Sequence, residues 1–238
     1  MVTRFTRKFK SNKGGGTPVI TLFLVMALFN IVFIAYSRDN SQYRWWLKTF
    51  SEGLRTSSKA ALLQYDYTDE NFELISQGYV IGEEEFNHFV GLNYIKANDI
   101  FFKILSISTK KNYTELELKE YSTIAIIEPL RDEQYTPMVW NYRVTLYKGD
   151  LKIEERIISS SNINQIEELI NGATNKIKID IVNGNLINKI KPRTYYIGII
   201  ENLPLKGLFW NSGLYKNINM YYFEGVNAIR SLDIREGS

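Results

Sequence analysis

Val19 to Tyr36 reads VITLFLVMALFNIVFIAY, eighteen consecutive residues without a charge. As a helix rising 1.5 Å per residue it covers about 27 Å, close to the ~30 Å of a bilayer's hydrocarbon layer. Arg4, Arg7, Lys8, Lys10 and Lys13 all precede it. Cations crowded on one flank of a span predict that this flank stays in the cytoplasm. Thr17 and Pro18 suit the N-cap and the first helical position, since proline there loses no hydrogen bond. Asn30 is the strongest polar group in the run. Its amide has two outlets, its own helix backbone or a neighbouring helix. Ala35 and Ser37 have the spacing of a signal-peptidase site, but the apolar run exceeds the usual 7–15 residues of a cleaved signal. Retention of the span is therefore the expectation.

The helical pattern does not stop at the end of the run. From Ser41 to Tyr65, Tyr43, Trp46, Leu47, Phe50, Leu54, Ser57, Ala61 and Leu62 recur at spacings of three and four. That is one face of an α-helix, and Arg44, Lys48, Glu52, Arg55 and Lys59 fall elsewhere. Residues 18–66 are thus expected as one helix, apolar all round at first and amphipathic later. Trp45 and Trp46 have two outlets, the lipid headgroup layer or the core of the domain. Trp46 and Phe50, with Asn30, are the candidates for packing against other helices.

A second helical pattern runs from Glu83 to Ser106 through Phe86, Phe89, Val90, Tyr94, Ala97, Phe101, Ile104 and Leu105. Its three leading glutamates face the positive end of the helix dipole. The period then changes to that of strands. Expected strands are Thr114–Ile127, Met138–Lys148 and Leu151–Ser159, the last two joined at Lys148-Gly149-Asp150. Ile163–Ile170 is expected as a short helix closed by Asn171-Gly172. Lys176–Val182 and Leu186–Ile190 are expected to pair across Asn183-Gly184-Asn185, because Asn-Gly accepts positive φ. Arg193–Glu201 and, more weakly, Met220–Phe223 complete the set.

Charge and composition narrow the chemistry. Removing the five leader cations from the net charge of +3 leaves −2 for everything after Lys13. Nucleic-acid binding is not expected, since it needs cations clustered on the folded part. There is no cysteine and one histidine, His88. That excludes disulfides, thiol nucleophiles and zinc sites built from several Cys or His ligands. No nucleophile elbow, phosphate loop or HExxH motif occurs. No catalytic residue, metal, cofactor or small-molecule substrate is expected, and the chain reads as a non-enzyme.

The order of parts resembles that of type IV pilins and pseudopilins: a basic leader ending in glycine, a membrane helix, its outward continuation, then a β-rich domain. The likeness is strongest to TadE/TadF-like pseudopilins of Gram-positive bacteria. It rests on SSKAALLQYD (Ser57–Asp66), on GYVIGEEEF and KANDIFFKILS within Gly78–Ser106, and on YYIGIIENLPLKGLF (Tyr195–Phe209). The resemblance implies prepilin-type cleavage between Gly16 and Thr17, and assembly with other pilin-like subunits through the N-terminal helix. Thr21 stands where those proteins usually carry a glutamate five residues after the cut, and Ile20 would stand there for a cut after Gly15.

The expected fold is α+β: a long transmembrane helix continuing into an extracytoplasmic domain with a second helix and a mainly antiparallel sheet. The expected division is a basic leader (1–17), a span (18–37), a helical continuation (38–66) and a domain (67–238). The expected function is a membrane-anchored subunit of a pilus or secretion-type surface assembly. The alternatives are a surface adhesin or sensor that binds an extracellular ligand, and an accessory protein of a conjugation or transport channel.

Overall fold

The computed structural model of this chain describes residues 16–64, 92–130, 141–187, 193–206 and 217–227. Helix α1, Gly16–Ala61, is a single uninterrupted helix of 46 residues. At 1.5 Å per residue it is about 70 Å long. It already includes Thr17, which therefore does not cap it. It ends at Ala61, short of the expected 66, in a turn where the Leu63 and Gln64 N–H groups reach back to Ala60 and Ala61.

Helix α2, Tyr94–Ser108, starts where the Asn93 side chain accepts the Lys96 N–H. The expected start at Glu83 lies outside the described residues, as do Glu84, Glu85 and His88. The carbonyl of Gln64 accepts the Asn93 N–H at 2.7 Å. Gly53 of α1 lies against Leu105 and Ser108. The start of α2 thus meets the end of α1 and its end lies beside Gly53, earlier in α1, so the two helices run antiparallel.

The expected strand Thr114–Ile127 divides into two elements. Glu115–Glu120 forms helix α3, and strand β1 follows at Ser122–Leu130. The reason is a capping box: Thr114 Oγ1 accepts the Glu117 N–H while the Glu117 carboxylate accepts the Thr114 N–H. Two orphan donors satisfied locally outweigh four residues of alternation. Thr-x-x-Glu was present in the sequence and identifies this helix start.

Strands β2 (Asn141–Lys148) and β3 (Leu151–Ser159) form the expected hairpin, with Gly149 at φ 57° in its turn. A three-residue 3-10 turn leads into helix α4, Ile163–Gly172. Strands β4 (Arg193–Pro204) and β5 (Asn217–Asn227) complete a five-stranded antiparallel sheet of order β3-β2-β1-β4-β5. Met220–Phe223, the weak candidate, is the middle of an 11-residue edge strand.

Alternation along the central strands divides the core in two. Ile124, Ile126, Tyr147, Tyr196 and Ile200 meet Phe50, Leu54, Phe101 and Leu105 from α1 and α2. Ala125, Ile127, Val144, Leu146, Tyr195, Ile197 and Ile199 meet Ile166 and Ile170 of α4 on the other face. The protein is α+β, with helices on both faces of the sheet.

Lys176–Val182 is not a strand. Ile177, Ile179 and Ile181 do alternate inward and are buried in the second core, but the segment joins no ladder. Its N–H groups go to side chains instead. Glu201 accepts those of Asn175, Lys176 and Ile177. Asn171 accepts that of Ile179, and Glu167 those of Ile181 and Val182. Asn183-Gly184-Asn185 does turn, with Asn185 at φ 48°, but it connects no pair of strands. Residues 188–190 of the expected return strand lie outside the described residues.

Candidate functional site

The feature least explained by folding is the first half of α1. From Val19 to Tyr36 nearly every large apolar side chain is exposed, Phe29 at 72% and Phe33 at 70%. One turn after the run ends, burial settles into a stripe of Asp39, Trp46, Phe50, Leu54 and Ser57. A contiguous apolar surface of this size is the mark of an interaction surface, not of a water-facing one. The helix is long and apolar enough to cross a membrane.

Within it, the Asn30 Nδ2 donates to the Met26 carbonyl at 3.0 Å. This is the backbone outlet, and it satisfies one amide proton. The Asn30 side chain makes no other hydrogen bond among the described residues, and the residue is exposed. Trp46 and Phe50, the other two packing candidates, are placed differently. Both are buried in this chain's own core, Trp46 at 2% exposure, and neither is exposed at its surface. Trp46 and Phe50 both pack edge-on against Tyr113, with ring centroids 5.2 and 5.4 Å away. Their helical spacing marks them as inward-facing but does not say toward which molecule. Trp45, the adjacent residue, is 39% exposed.

No family model matches this chain, and no curated protein or solved structure matches it significantly.

The junction of Gly16 and Thr17 falls in the first turn of α1. Among the described residues no group of three or more His, Asp or Glu side chains is placed to hold a metal ion.

Where α1 meets the base of the domain, a small knot closes the chain. Trp46 Nε1 donates to the Lys206 carbonyl at 3.0 Å. The Lys206 N–H donates to the Tyr113 hydroxyl, which donates in turn to the Pro204 carbonyl. The Lys206 ammonium sits over the Tyr113 ring and donates to Glu117 at 2.6 Å. That hydrogen bond, with the Thr114 N–H, holds the Glu117 carboxyl down at about 2. Beside the knot, α2 ends in Thr109-Lys110-Lys111, with both lysines at positive φ and Lys110 Nζ 5.6 Å above the Trp45 ring. Sequence reasoning passed over this turn. The Lys-Lys pair just after a helical pattern was its only signal, and its neighbour Trp45 is 65 positions earlier in the chain.

Two further clusters lie on the sheet, one at its β3 edge and one on its central strand β1. A groove of about 670 Å³ between β3 and α4 is lined by Ile153, Arg156, Ile157, Gln165, Glu168 and others. On the other face, burial pushes the Glu128 carboxyl up, against the opposing pull of the Leu92 N–H and the Arg143 charge. Glu128 Oε1 accepts that N–H at 2.6 Å and thereby ties the chain just before α2 to the sheet.

Proposed function

We propose that this protein is a non-enzymatic, membrane-anchored subunit of a surface assembly of the pilus or secretion type. The observation that carries the reading is the continuity of α1. One helix is exposed and apolar through its first half and is a core element of the folded domain through its second. A simple tether needs no such rigidity, because a flexible linker would hold a domain at a membrane equally well. A rigid joint transmits the orientation of the span to the domain, which is what a subunit in an ordered array requires.

In this reading the leader lies in the cytoplasm and the domain outside it. The apolar half of α1 packs against the helices of neighbouring subunits in the bilayer or in a fibre. The order of parts shared with TadE/TadF-like pseudopilins supports the same conclusion. Phe29, Phe33 and the exposed Asn30 are the contacts on offer.

The test is to replace Val19–Tyr36 with a Leu/Ala span of equal length in the full chain. Insertion depends mainly on summed apolarity and should persist. Packing in lipid depends on shape and interhelical hydrogen bonds and should be lost. A photo-crosslinker at Phe29 or Phe33 should give adducts with other span-bearing subunits in the original chain and none in the swapped one. Equal function of the swapped chain would reduce the helix to an anchor, and a ligand-binding surface domain would then be the better account.

A further inference from the structure

We infer that the turn Thr109–Asn112, together with Arg44 and Lys48 of α1, is a contact surface for anionic lipid headgroups. The inference rests on the reading of α1 as a membrane span. The contact between Trp45 and Lys110 lies close to the span, six residues beyond Asp39, which is already buried. From Tyr36, the last residue of the apolar run, to Trp45 the helix advances nine residues, or about 14 Å. A headgroup layer takes up roughly 5–8 Å of that distance. Lys110 therefore stands within about one Debye length, ~8 Å, of the bilayer surface.

Among the described residues cations predominate at this level, with half-buried Glu115, three residues beyond the turn, as an exception. Arg38, Arg44, Lys48, Lys110 and Lys111 are exposed. Among nearby carboxylates, Asp39 is buried and Glu117 is taken up by Lys206. Glu52 lies one turn farther along α1 from the span, 3.9 Å from Lys48. Trp45 is 39% exposed beside Lys110, the placement an indole takes at a membrane–water interface.

The backbone adds a second, independent observation. Lys110 and Lys111 sit at φ 53° and 58°. Glycine or asparagine adopts that conformation at little cost and lysine does not. The Lys111 N–H closes the turn onto the Ser106 carbonyl at 2.9 Å. The negative end of the α2 dipole favours a cation here, but one well-placed side chain suffices for that. Both lysines are exposed, so the turn presents two cations on its outer side.

The test is amine footprinting of the full chain in lipid nanodiscs with a neutral acylating reagent. In discs rich in phosphatidylglycerol, Lys48, Lys110 and Lys111 should react about five-fold more slowly than in phosphatidylcholine discs, the weight of one cation held near an anionic surface. Lys96, exposed at the far end of α2, and Lys59, exposed near the end of α1, should react equally in both. The difference should vanish at about 1 M salt, where the Debye length is about 3 Å. A variant with Lys110→Asn and Lys111→Asn keeps the turn, because asparagine tolerates positive φ, and its Lys48 should lose most of the lipid dependence. Equal reactivity in the two lipids would overturn the proposal. So would the same slowing by inorganic phosphate in detergent, which would make the surface a site for soluble anions. Failure of the chain to enter discs of either composition is a separate result, which overturns the anchor reading itself.

Discussion

The indole N–H of Trp46 donates to the backbone carbonyl of Lys206, 160 positions away in the chain, at 3.0 Å. This bond fastens the helix that leaves the exposed apolar segment to the end of strand β4. It also fixes how the domain is held relative to the first half of α1. Trp46→Phe keeps an aromatic ring but leaves the Lys206 carbonyl without its donor, at a cost of about 1–2 kcal/mol. Trp46→Ala should cost about 3–5 kcal/mol through the cavity it opens. Denaturant titration of the full chain followed by far-ultraviolet circular dichroism measures both. Equal costs for the two variants would mean that the hydrogen bond contributes nothing.

Gly198 sits between Tyr196 and Ile200 on the face of β4 that α2 covers. A Cβ there would lie 2.6 Å from Phe101 Cε2 and 3.4 Å from Leu54. Phe101 can seat on the sheet only because this position has no side chain. Gly198→Ala should destabilise the protein by about 1–3 kcal/mol, the usual cost of overpacking. Adding Phe101→Leu should recover part of that loss. A thermal melt of the single and double variants decides the matter, and simple additivity would show that the two residues do not compete for space.

Glu201 is the acceptor for three consecutive N–H groups, those of Asn175, Lys176 and Ile177. Burial raises its pKa, but those hydrogen bonds and Lys148 outweigh burial and leave it below the ordinary value. A folded-state pKa below the unfolded one gives stability that is present above the unfolded value and is lost as pH falls through the folded one. Glu201→Gln should therefore lower stability at neutral pH and flatten its decline below about pH 4.5, the ordinary carboxyl range. Hydrogen exchange should show the amides of 175–177 losing protection first. Unchanged exchange at those amides would refute the assignment.

Thr114→Ala removes half of the capping box of α3. The expected cost is about 1 kcal/mol, with faster exchange of the Glu117 amide and little change in α2. Thr114→Ser keeps the acceptor and should restore most of the loss. If the serine variant were as unstable as the alanine one, the cap would not be the source of the effect.

Much of the fold was legible because it is written in local periods. The apolar run, the three-and-four spacing from Tyr43 to Leu62, the Lys148-Gly149-Asp150 turn and the β-rich run from Arg193 each identify an element without reference to the rest. Two segments depart from their alternation, for opposite reasons. At Thr114 a local capping signal overrides a short alternation. At Lys176–Val182 the alternation was real, and it buries three isoleucines. Partnership was the error there, because Glu201, Asn171 and Glu167 lie outside the segment and take the N–H groups a strand would have given to a neighbour.

The candidate site divides in the same way. Length and apolarity alone determined that residues 19–36 form a helix unsuited to water, since both are properties of consecutive residues. Which aromatic residues after the run turn inward was decided by the tertiary structure. Trp45 and Trp46 are adjacent and chemically identical, yet one is exposed and the other is bonded to Lys206. A helix turns 100° per residue, so neighbours in sequence face different surroundings. Those surroundings are brought up by Tyr113 and Lys206, 67 and 160 positions farther along the chain. The cationic turn at Lys110 and Lys111 has the same origin, because its place beside Trp45 is set by the antiparallel packing of α2 on α1. Local sequence carries the backbone's preferences, and only the closed fold assigns each side chain its neighbours.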